Sequence, residues 1–115
     1  MPDLNWNKTV WSDSYHWNDA GEEWSTTWGG SEAQWFGSIY PRVHRFLPAQ
    51  PILEIALGFG RWTRYLLPAC EEFIGIDLSN KALRLVKNDL LPPIMRNSLQ
   101  MTGARWRQRK IRRSI

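Results

Sequence analysis

Two apolar runs separated by a glycine turn constrain this 115-residue chain more than anything else in it. The first run is Pro51-Ile-Leu-Glu-Ile-Ala-Leu57, and it leads into Gly58-Phe-Gly60. The second is Phe73-Ile-Gly-Ile76, closed by Asp77, seventeen positions after Gly60. Glycine lets a backbone turn sharply and approach a neighbour where a Cβ would clash. Between the runs, residues from about Gly60 to Leu67 read as a helix that stops near Pro68. Strands predicted at 52–57 and 73–78, joined by a crossover helix, make one right-handed βαβ unit with a parallel pair.

The flanks extend this unit. Ser79 or Asn80 caps a helix running to about Leu90, with Ala82, Leu83, Leu85 and Val86 among charged residues. Upstream, Ser31-Glu-Ala-Gln34 fits a capping box, with Ser31 as N-cap and Gln34 reaching back. From there Trp35, Ile39, Val43, Phe46 and Leu47 recur at helical spacing, predicting a helix over 31–47. Pro41 should kink it and Pro48 should end it. Residues 1–30 are polar yet hold Trp6, Trp11, Trp17, Trp24 and Trp28 without a period, and read as short helical turns and loops. Two roles are open for these indoles: docking an N-terminal arm on the domain, or lining the mouth of a ligand site.

Charge separates a third zone. Residues 1–91 carry eight Lys/Arg and eleven Asp/Glu, whereas 92–115 carry seven Lys/Arg and no acid. Pro92-Pro93 ends the helix, and Met95–Ile115 shows neither the strand nor the helix period, so an unstructured basic tail is expected. Such a tail resembles a phosphate-binding segment, but only Trp106 is interleaved for base stacking, and a nucleic-acid partner is not expected. Cys70 is alone, which excludes a disulfide framework, and neither His16 nor His44 stands at a metal-ligand spacing. No secretory signal and no run approaching ~18 apolar residues is present, so a cytoplasmic protein without a membrane partner is the expectation.

The turn itself discriminates between ligands. A dinucleotide site calls for G-x-G-x-x-G, but counting from Gly58 the last position is Thr63. Bulky Arg61 and Trp62 crowd the place where a pyrophosphate would meet the helix. No Gly-Lys-Ser/Thr follows, which excludes a P-loop. An acid ending the second strand, by contrast, is placed to accept the hydroxyls of a ribose. The pattern Glu54-Ile-Ala56-Leu-Gly58-Phe-Gly60 with Asp77 resembles motif I and the following acid of class I S-adenosylmethionine-dependent methyltransferases. Trp28-Gly-Gly-Ser31, Trp35, Pro41-Arg42 and Phe46-Leu-Pro48, just before the motif, resemble the lead-in helix of a bacterial branch of that family, and the resemblance as a whole covers roughly residues 24–90. The resemblance implies a Rossmann-like α/β fold and S-adenosyl-L-methionine as cofactor. It also implies methyl transfer to an acceptor, small molecule or other, that it does not identify. Ala56, Gly58 and Gly60 would shape the methionine pocket, Asp77 would hold the ribose and Leu78 would pack on the adenine. Glu54 matches the acidic position of the motif, and Ala56 stands where a glycine is more usual. No catalytic base is implied.

The expected organisation is a partial Rossmann-like α/β fold. It comprises a Trp-rich helical segment at 1–47, a cofactor-binding βαβ unit at 48–91 and the basic tail at 92–115. Two parallel strands do not close a core by themselves, so a truncation or frameshift after about residue 90 is expected. Read one nucleotide early, the codons of the tail permit Asn-Asp-Gly-Arg-Ser-Leu-Glu and later Ser-Ile-Asp. Those peptides resemble the end of the third strand and the start of the fourth in the same branch. On this reading the 115-residue chain has little methyl-transfer activity of its own.

Overall fold

The computed structural model describes residues 2–90, 100–102 and 105–109. Strand β1 spans Ala49–Ile55 and strand β2 spans Cys70–Ile76. They pair in parallel, with Leu53 opposite Ile74 and Ile55 opposite Ile76. β1 starts earlier than the apolar pattern predicts and takes in Pro51. A proline fits because β1 lies at the edge of the described sheet, where one side of the strand owes no ladder bond. The crossover helix is shorter than expected. Gly60 is left-handed at φ +85°, and the chain is still turning through Trp62. One α-helical turn follows at Thr63–Leu66, then a 3-10 turn at Leu67–Ala69 that accommodates Pro68.

The long helix of the unit, Asn80–Leu90, falls where the sequence places it. Ser79 caps it: its hydroxyl accepts the N–H of Ala82 at 3.2 Å and its carbonyl accepts that of Leu83. This helix presses Leu83 and Val86 onto Phe73, with Leu57 and Cys70 completing a buried core. Ile52, Leu66, Leu67 and Leu90 pack around it. Among the described residues, helices cover one face of the parallel pair only. On the other, Leu53 is 55% and Ile55 70% exposed, beside half-buried Ile74 and Ile76.

The tail departs from expectation. Strands β3 (Gln100–Thr102) and β4 (Arg105–Arg109) join the sheet in the order β1-β2-β4-β3. β4 runs antiparallel to β2, with Gln108 opposite Phe73 and Trp106 opposite Gly75. The reading of 92–115 as unpacked is therefore corrected at these two strands. The free edge of β2 presents a row of unpaired backbone groups, and backbone pairing needs no apolar period in the strand that fills it. The rest of that tail lies outside the described residues.

Upstream, helical backbone runs from Ser31 to Phe46, but in four pieces. α-Helical Ser31–Gln34 passes into a π-helical turn at Trp35–Ile39, then α-helical Tyr40–Val43 and a 3-10 turn at His44–Phe46. The N–H of Tyr40 bonds the carbonyl of Trp35, five residues back. Pro41 has no N–H to give, and the widened turn just before it absorbs the mismatch. These changes of pitch rotate the predicted apolar face. Trp35 is buried while Phe46 is 64% exposed.

The capping box is also replaced. Ser31 gives both its N–H and its hydroxyl to the carboxylate of Glu22, and Gln34 accepts the hydroxyl of Ser25 at 2.7 Å. A charged acceptor outside the helix makes the stronger bond. The Ser31 hydroxyl, with Arg64 at 2.5 Å adding to it, holds the Glu22 carboxyl below its ordinary range. These bonds fasten the N-terminal arm, whose first helix (Leu4–Thr9) is capped by Asp3 and continues into a π-helical turn at Val10–Ser14.

Candidate ligand-binding site

The glycine turn begins one residue after β1. The N–H of Ala56 still bonds the carbonyl of Ile76 at 2.7 Å, so the parallel ladder carries into the turn. Ala56 then adopts φ +60° and Gly58 φ +58°, both left-handed. Asp77, at the tip of β2, closes the arrangement. One carboxylate oxygen accepts the N–H of Gly58 and the other the N–H of Ser79, each at 2.8 Å. A single buried acid thus ties the turn to the start of the long helix. That answers how a carboxylate is tolerated at a buried strand end.

A cavity of about 410 Å³ opens beside this tie. Glu54, Ala56, Gly58, Asp77 and Leu78 all line it. Gly60 is placed otherwise. It is buried against the long helix, and a Cβ there would lie 2.8 Å from Leu90 and 3.2 Å from Val86. Its lack of a side chain serves helix packing.

Glu54 reaches the cavity from β1 and accepts the Thr63 hydroxyl at 2.6 Å. Burial pushes its carboxyl up to about 7, with neighbouring Asp77 adding to the rise and the Thr63 bond opposing it. Near neutral pH this group is poised between its two protonation states.

The roof comes from the arm. Trp11, Trp17 and Trp24 line the cavity with Phe59 and Trp62. Trp17 meets Phe59 edge-on at 4.6 Å and lies so close over Gly58 that a Cβ on that glycine would be 3.3 Å from the indole. Tyr15 braces Trp17 edge-on at 4.9 Å. Both roles open to the indoles are therefore taken by the same ring: Trp17 docks the arm and lines the cavity. Arg61 also borders it, its guanidinium over the Trp62 ring at 4.7 Å and donating to Ser25 at 3.0 Å.

Sequence reasoning named Thr63 and Arg61 only as obstacles to a dinucleotide, not as Glu54's partner and a cavity wall, and did not choose Trp17 among the indoles. Tryptophan density was the available signal, but without a period it could not say which ring meets the turn. Among the described residues, no group of His, Cys, Asp and Glu is arranged to hold a metal ion, and no helix is long and apolar enough to cross a membrane. No protein-family model, curated protein or solved structure matches this chain.

Proposed function

We propose that this chain carries the S-adenosyl-L-methionine site of a class I methyltransferase. The supporting observation is Asp77: an acid at the tip of the second parallel strand, bonded to the N–H of Gly58 and facing the cavity beside Leu78. The residues fit such a ligand. A carboxylate offers about four lone-pair positions, and two accept backbone N–H groups, leaving capacity for two ribose hydroxyls. Clefts for ligands of this size span roughly 300–1,000 Å³, and this cavity is about 410 Å³. Leu78, 42% exposed, offers an apolar surface for the adenine. The backbone of Ala56 and Gly58 would border the methionine part.

Bound S-adenosyl-L-methionine supplies a methyl group activated by a sulfonium. The contribution of the chain is to position it, which needs no strongly specified base. A cytoplasmic location and an acceptor outside the membrane belong to the same proposal.

A second reading has an observation in its favour. Ligands of open α/β sheets sit in a crevice between strands on either side of a switch point. β1 pairs only with β2 in the described sheet. A nucleotide-binding chain that binds the cofactor without turning it over fits that topology, and methyl transfer by these 115 residues alone is expected to be slow or absent.

Substitution of Asp77 tests the assignment. With folding of each variant verified by circular dichroism, Asp77→Asn and Asp77→Ala are expected to weaken S-adenosylhomocysteine by about 1–3 kcal/mol, the range for bonds to a charged group. Unchanged affinity in folded variants would remove Asp77 from the ribose.

A further inference from the structure

The walls of the cavity share one chemical preference that the cofactor assignment draws on only at Asp77. Two carboxylates, Glu54 and Asp77, face it from the sheet, and the indoles of Trp11, Trp17 and Trp24 face it from the arm. Indole faces attract cations through their ring quadrupole, and do so most strongly where water is excluded. Among the described lining residues the cation is Arg61, and its guanidinium is already held by Ser25 and by the Trp62 ring. No other described lining residue brings a positive charge to the acids or to the three arm indoles.

We propose that the Trp11–Trp17–Trp24 wall and Glu54 form a subsite for an organic cation, and that the methyl acceptor is a tertiary aliphatic amine whose product is a quaternary ammonium. The acceptor class rests on the methyltransferase reading. The cation subsite does not. The acceptor reacts as its free amine: the proton of its ammonium form leaves first, with the Glu54 carboxylate in the cavity to receive it. The nitrogen lone pair then forms the new N–C bond, the pair of the breaking S–C bond stays on sulfur, and the positive charge moves to nitrogen.

The wall also suits a sulfonium, so the test must separate the two sources of positive charge. The probe is choline, with 3,3-dimethylbutanol as its neutral isostere, titrated into the full chain by calorimetry with and without saturating S-adenosylhomocysteine. Choline is expected to bind at least tenfold tighter than the isostere, and to keep binding when S-adenosylhomocysteine is present. Trp17→Phe, which keeps a ring on Phe59, should weaken choline severalfold, and Trp17→Leu and Glu54→Gln about tenfold. Equal affinity for the isostere, or no choline binding by the folded chain, overturns the subsite. Competition between choline and S-adenosylhomocysteine assigns the cation-binding wall to the cofactor and overturns the acceptor class. Choline binding without S-adenosylhomocysteine binding leaves the subsite standing and contradicts the methyltransferase reading instead.

Discussion

Ala56 and Gly60 look alike in the motif, yet physical chemistry asks opposite things of them. Ala56 sits at φ +60°, where an L-residue with a Cβ is strained by about 1–2 kcal/mol. Ala56→Gly should relieve that strain and raise stability by about 1 kcal/mol despite the entropy glycine adds to the unfolded chain, as read by urea denaturation. Gly60→Ala should lower it by about 1–3 kcal/mol, because the new methyl meets Leu90 and Val86. Glu54 makes a pH-dependent prediction. Its folded carboxyl titrates near 7 against 4.5 for an ordinary glutamate. Between those values the folded chain binds more protons than the unfolded one, so this group lowers stability as pH rises from about 4.5 to about 7. Glu54→Gln keeps an acceptor for Thr63 and should raise the urea midpoint at pH 8 while leaving it nearly unchanged at pH 4.

At the scale of elements, apolar run length and glycine placement made the parallel pair and the long helix legible. Ser79 and the run through Val86 announce that helix in local terms. The segment over 31–47 was legible as helix but not in its internal pitch. Pro41 predicts a disturbance but not its form, a π-helical turn at Trp35–Ile39 whose first ring stacks on Tyr65 at 5.1 Å. The pairing of β4 with β2 was not legible, because an edge strand is recruited by free backbone groups whatever the side-chain pattern. Coverage of a single sheet face sets the cost of substitutions within a strand pair. Phe73→Ala, 1% exposed under the long helix, should cost about 3–5 kcal/mol. Leu53→Thr, on the uncovered face, should stay within about 0.5 kcal/mol, and the two unfolding curves compare directly.

For the molecule as a whole, the cavity depends on contact between parts distant in sequence. Asp77 holds the turn to the long helix, and Trp17 closes the turn from the arm. The motif made Glu54, Ala56, Gly58, Asp77 and Leu78 legible as one site because a parallel pair must bring a turn and a strand tip together. Which indole roofs that site is a tertiary matter, settled by Glu22 bonding Ser31 and Arg64 and by Ser25 bonding Arg61. The central claim is that this cavity takes an adenosyl ligand of the S-adenosylmethionine type. Parallel calorimetric titrations of S-adenosylhomocysteine and NAD into the full chain test it most directly. S-adenosylhomocysteine is expected to bind at one site and more tightly than NAD, whose pyrophosphate would meet Arg61 and Trp62. Tighter binding of NAD, or no binding of S-adenosylhomocysteine by the folded chain, would contradict it.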